Sequence, residues 1–182
     1  MSDLPRFPYH PDPVATGAFE ARTHTCRACE RPRAWSYAVA PYATENLRDA
    51  LCPWCVADGT AAARFDARFT DLSASEVPEG IDPAVLDALT HRTPGFSAWD
   101  QERWLFHCGD AAAYLGACGW EELEALPAVR AALVDRAIAD GLPREPAEAF
   151  VGSLDVDGAA TAYLFRCRRC GEHLAYADAD TE

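Results

Sequence analysis

Six of the eight cysteines fall at spacings that suit metal chemistry. Cys26 and Cys29 form one C-x2-C, Cys52 and Cys55 a second, and Cys167 and Cys170 a third. Two residues between cysteines let both sulfurs of a tight turn face one centre. Two such pairs complete the tetrahedron of thiolates that Zn²⁺ prefers in structural sites. Cys26, Cys29, Cys52 and Cys55 therefore predict one zinc site, with the chain between them reading as a zinc ribbon. Cys167 and Cys170 supply half of a second site. His107 and Cys108 are the best remaining donors, although neighbours on a strand face opposite ways. For both to reach one ion the chain must turn or bulge there, and Gly109 makes that feasible.

Each group has a rival reading. Cys52-Pro53-Trp54-Cys55 before a helix looks like a glutaredoxin-type redox motif, but no βαβ unit surrounds it and the upstream pair would have no role. Cys108 as a nucleophile with His107 as its base requires a geometry that sequence neighbours rarely attain. Cys118 is expected to be a small core residue. Asp155, Asp157 and Gly158 suggest a turn rather than a calcium loop, because the downstream bidentate Glu is missing. No phosphate-binding glycine loop, nucleophile elbow or His-x3-His metalloprotease helix is present.

The elements that must position these donors alternate between strand and helix patterns. Residues 1–20 carry Pro5, Pro8, Pro11 and Pro13 and are expected to lie extended, anchored by Phe7, Tyr9 and Phe19. Residues 21–70 form the ribbon, with Trp35, Tyr37 and Val39 at strand period, followed by a helix from Ala57 to Phe69 behind Asp58. Residues 71–182 form a helical body closed by a knuckle hairpin. Its helices are expected at Asp82 to Arg92, Asp110 to Tyr114, Glu121 to Leu126, Ala128 to Asp140 and Glu145 to Val151. Trp104-Leu105-Phe106 suits a buried strand, and Trp99, Trp104 and Trp120 read as core or interface anchors. The last two strands are Thr161 to Phe165 and His173 to Tyr176, and the acidic tail from Asp178 is expected to fray. The fold class is α+β: small zinc-ribbon-like β elements at both ends, packed with short helices in one domain.

Charge narrows the partners. The net charge is -13, and residues 1–57 are balanced with 6 acids and 6 Arg. The whole excess lies C-terminal to the ribbon. An acidic body repels phosphate backbones and favours basic partners, so nucleic acid is disfavoured and a basic protein domain is not. Arg166, Arg168 and Arg169 are expected to pair with local acids. No run of residues approaches the ~20 apolar positions that cross a bilayer. A cytoplasmic setting is expected, where reduced thiols serve metals rather than disulfides.

Several stretches together resemble the CbrC family, the colicin-tolerance proteins. They are Phe7-Pro8-Tyr9-His10-Pro11-Asp12-Pro13 with Thr16-Gly17-Ala18-Phe19, Leu51 through Gly59, Thr93-Pro94-Gly95-Phe96, and Trp104-Leu105 through His107-Cys108-Gly109-Asp110. Gly119-Trp120 and Tyr163-Leu164-Phe165-Arg166-Cys167 with Cys170-Gly171 complete the set. The resemblance spans nearly the full length. It implies tolerance to a DNase-type bacterial toxin, and no enzymatic activity comes with it. The expectation is a non-enzymatic protein with one or two Zn²⁺ ions that binds a protein partner, a basic toxin or nuclease domain. A zinc hydrolase working from the Cys/His site and a nucleic-acid-binding ribbon are the alternatives.

Overall fold

The computed structural model describes residues 4–180 as a small α+β unit with three antiparallel sheets. Strands β1 (Phe19–Thr25) and β2 (Pro32–Tyr37) form the first hairpin, with a register shift between Ala21 and His24. Helices α1 (Pro53–Ala57) and α2 (Thr60–Phe65) follow where a single helix is expected. Asp58 Oδ1 accepts the Thr60 N–H at 2.8 Å, as a cap does. Gly59, at φ +80°, nevertheless breaks the helix between them, and Asp66, at φ +48°, ends the second piece before Phe69. Helix α3 (Pro83–Arg92) starts as predicted, its Asp82 side chain accepting from the Ala84 N–H.

A two-residue ladder joins β3 (Phe106–His107) to β4 (Asp110–Ala111). Strand β5 (Ala113–Cys118) then pairs with β6 (Ala160–Arg166), which pairs with β7 (His173–Ala179) in the order β5-β6-β7. Between β5 and β6 run α4 (Trp120–Glu124), α5 (Pro127–Ala139) and α6 (Arg144–Gly152). Alternation along β6 and β7 splits their side chains between two cores. Tyr163, Phe165, Leu174 and Tyr176 join Phe96, Trp104 and Tyr114 on an aromatic face. Ala162, Leu164, Ala175 and Ala177 meet Leu123, Val129, Leu133 and Val151 of the helices on an aliphatic one.

The ribbon half has its own core of Phe7, Phe19, Tyr37, Leu47, Leu51 and Phe69. It meets the body at Gly95, whose N–H donates to the Tyr37 hydroxyl at 3.1 Å, and at Phe69, whose N–H donates to the Thr90 carbonyl at 2.8 Å. The proline-rich start is docked by Phe7, Tyr9 and Phe19, all buried. The Tyr9 carbonyl accepts the Tyr114 N–H at 2.8 Å, which serves the outer edge of β5.

Three expectations are corrected. Asp110 to Tyr114 is β4 and the start of β5 rather than a helix, because pairing of Asp110 and Ala111 with β3 and of Ala113 and Tyr114 with β6 outweighs the helix preference of Ala111 to Ala113. Trp104 is buried, but residues 97–105 form no strand. There the Trp99, Asp100, Arg103 and Trp104 N–H groups donate to Tyr163, Asp178, Tyr176 and Ser75 side chains instead of to a ladder. Asp178 therefore lies in β7 and holds a loop rather than fraying; the tail beyond Asp180 lies outside the described residues. Of the tryptophans expected as core or interface anchors, Trp104 lies in the core, whereas Trp99 and Trp120 are 48% and 36% exposed and lie outside it.

Candidate metal centres

The first centre combines a knuckle with a helix start. After β1 the chain turns through Cys26-Arg27-Ala28-Cys29, and Glu30, at φ +58°, lets it return into β2. The Cys26 N–H donates to the Arg31 carbonyl and the Glu30 N–H to the Cys26 carbonyl, closing the knuckle. The second pair comes from a different element than a matching hairpin. Cys52 precedes α1 and Cys55 sits in its first turn, three residues on and so on the same face. Arg27 N–H to the Ala50 carbonyl and Cys52 N–H to Cys26 Sγ, at 3.3 Å, tie the two halves together. The four sulfurs lie within 4.8 Å of one another.

That separation suits a tetrahedral ion. With Zn–S bonds of about 2.3 Å, sulfurs at the corners stand about 3.8 Å apart. Without a cation the cluster resists ionisation as a set. Cys26 is drawn down to about 4, chiefly by a hydrogen bond from the Cys52 thiol. Cys52 is pushed up by giving that bond, and Cys55 rises to about 12, mainly through burial. One thiolate is thus stabilised at the expense of its neighbours. A divalent cation is the group that removes this conflict, because it satisfies four thiolates at once.

The second centre joins two hairpins. Cys108 and Gly109, at φ +52° and +70°, form the two-residue turn between β3 and β4, and such a turn needs positive φ at both positions. The turn places Cys108 beside His107 on one side of the chain. The knuckle between β6 and β7 brings Cys167 and Cys170, with Gly171 at φ +80° where Glu30 stands in the first centre. The His107, Cys108, Cys167 and Cys170 donor atoms also lie within 4.8 Å of one another.

His107 Nδ1 stands 3.4 Å from both Cys108 Sγ and Cys170 Sγ, so this nitrogen faces the centre. Its Nε2 lies 3.6 Å from Glu172 Oε2. A carboxylate on that side favours the proton on Nε2 and leaves Nδ1 free to ligate. Cys167 Sγ accepts the Arg169 and Cys170 N–H groups at 3.4 and 3.5 Å, and its pKa falls to about 6, first through the Cys170 N–H. Cys108 is raised to about 11, first by its hydrogen bond with Cys170. As in the first centre, one thiolate is favoured, here Cys167, while a neighbour, Cys108, is made reluctant.

The two centres differ in exposure. Cys26, Cys52, Cys55 and Cys167 are buried and Cys29 partly so, whereas Cys108 and Cys170 are exposed. An open apolar cavity of about 440 Å³ lies alongside the second centre, lined by Phe106, Leu126, Val129, Glu172, His173 and Leu174 among others. Neither His24 nor His173 joins a donor group among the described residues, and Cys118 is a buried core thiol. Sequence reasoning missed the clamp behind the second centre. Tyr9 and Arg168 both donate to Asp110, each at 3.0 Å, and the guanidinium lies 4.4 Å over the Tyr9 ring. This ties the N-terminal segment, the turn and the knuckle together. The signal was an Asp directly after the turn and an Arg inside the knuckle, but only the tertiary pairing gives it meaning.

The model of the uncharacterised protein family UPF0167 matches residues 4–179. UPF0167 protein Mb2317 of Mycobacterium bovis is 50% identical over 175 residues, covering 96% of this chain and 93% of the relative. UPF0167 protein MT2352 of Mycobacterium tuberculosis gives the same figures. UPF0167 protein PA1536 of Pseudomonas aeruginosa is 38% identical over 178 residues, 97% of each chain. No solved structure matches.

Proposed function

The chain belongs to the uncharacterised protein family UPF0167, and from that premise we propose a non-enzymatic, two-zinc cytoplasmic protein that acts by binding another protein. The observation that carries this reading is that each centre offers four protein donors. Structural zinc is four-coordinate with protein ligands alone, whereas catalytic zinc keeps a position for water or substrate. Thiolate-rich donor sets favour zinc over the harder divalent ions. The resemblance to the CbrC colicin-tolerance proteins gives the binding a purpose: tolerance to a basic toxin or nuclease domain. The acidic excess in the body favours such a partner electrostatically.

Metal analysis of the purified full chain tests the first half; two zinc ions per chain is the expected result, and none would refute it. Pull-down against a basic nuclease domain at low and high salt tests the second. Capture at low salt that weakens with added salt is expected, and no association at low salt would sink it. A zinc hydrolase is the second reading, favoured by the exposed second centre beside the apolar cavity. Under that reading His107→Ala keeps the metal and abolishes the biological effect. Under the structural reading metal and local fold are lost together.

A further inference from the structure

The two centres present their sulfurs to solvent very differently, and the difference has a chemical consequence. In the first, Cys26 and Cys52 are fully covered and Cys55 is 3% exposed, inside a core with Phe19, Tyr37 and Phe69. In the second, Cys108 and Cys170 are exposed, and both sulfurs touch the same nitrogen, His107 Nδ1, at 3.4 Å. Their own separation is within 4.8 Å. Cys108 sits in the turn of a ladder only two residues long on each side, which leaves it room to close that gap. Cys167 is different: it is buried, and its sulfur is held by two N–H donors.

We infer that Cys108 and Cys170 form a peroxide-sensitive modification site, at which oxidation to a Cys108–Cys170 disulfide expels the zinc of the second centre. This rests on the two-zinc reading. One exposed thiolate attacks hydrogen peroxide, forming an S–O bond as the O–O bond breaks; the departing hydroxide takes a proton and leaves as water. The other thiolate attacks the resulting sulfenic sulfur, forming the S–S bond and expelling hydroxide, which takes a second proton. Two sulfurs supply the two electrons that reduce the peroxide. Zinc keeps its oxidation state and departs because two of its four donors are gone.

The test treats the full chain, loaded with zinc, with a few equivalents of hydrogen peroxide while a chromogenic chelator records released metal. Release of one zinc of two, a mapped Cys108–Cys170 disulfide, and recovery of both on adding dithiothreitol with zinc are expected. Cys170→Ser should form no intramolecular disulfide at Cys108. No release, simultaneous loss of both ions, or a disulfide mapped elsewhere would overturn the inference. A chain that carries fewer than two zinc ions before any oxidant is added fails the two-zinc reading instead.

Discussion

Lowering the pH from 7.5 to 5 should remove about 2 kcal/mol of stability through one side chain, His10. His10 is fully buried, 5.0 Å edge-on from the Tyr114 ring. Its Nδ1–H donates to the Pro94 carbonyl at 2.8 Å, which fixes the tautomer and leaves Nε2 to accept the Thr16 hydroxyl at 2.6 Å. Burial drives its pKa down to about 4, with the Pro94 carbonyl and Asp12 opposing weakly. The unfolded chain, at the ordinary value of 6.5, binds the proton first, so stability is complete above that value and is lost as pH falls towards 4. The full span is worth about 3 kcal/mol, of which about 0.8 is gone at pH 6 and about 2 at pH 5. Acid would also compete with any zinc on the thiolates, so the measurement must be a difference. His10→Asn retains a donor for Pro94 and does not titrate. Urea unfolding of both proteins at pH 7.5, 6 and 5 should show the wild-type advantage shrinking by those amounts. A wild-type-minus-variant difference that stays flat across this range refutes the reasoning.

At Gly95 an added Cβ would stand 2.3 Å from the Phe69 carbonyl oxygen, in the seam between the ribbon half and the body. Gly95→Ala should cost about 3 kcal/mol in urea unfolding, because both neighbouring backbones must part. At Gly171 an added Cβ would meet nothing within 4 Å, yet the φ there is +80°. Gly171→Val should therefore lose about 1–2 kcal/mol and weaken zinc at the second centre in chelator competition, while Gly171→Asn does neither. Cys118 is buried outside both donor groups. Cys118→Ala should leave the zinc content unchanged and cost about 1 kcal/mol.

The donor groups were legible because C-x2-C spacing is a local geometric statement. His107 and Cys108 were legible only through Gly109, whose positive φ allows the turn that seats both on one side. What remained hidden depended on partners far along the chain. Trp104-Leu105-Phe106 reads as a buried strand from its aromatic content, yet the Trp104 N–H is taken by Ser75, and those of Trp99, Asp100 and Arg103 just before it by Tyr163, Asp178 and Tyr176. No local pattern announces acceptors that stand 29 to 78 residues away. Ala111 to Ala113 favoured helix by intrinsic preference, and pairing of the following strand with β6 decided otherwise. The break at Gly59 was written in the sequence but outvoted by the apolar spacing around it.

The two knuckles are built alike and completed differently, and the difference divides their duties. In each, the first cysteine's N–H reaches the carbonyl five residues on, at Arg31 and Glu172, and a residue at positive φ follows the second cysteine. The first is completed by a helix start inside an apolar core, so an empty site would leave Phe19, Tyr37 and Phe69 around three buried thiols and the partly buried Cys29. The second is completed by a short hairpin on the surface. Behind it, β5, β6 and β7 keep cores on both faces that include none of its four donors. Loss there would release the turn, the knuckle and the Tyr9–Asp110–Arg168 clamp while the sheet stands. A metal that sets local shape without holding up the fold would be free to respond to its surroundings, and under the two-zinc reading the exposed second centre is the one placed to do so.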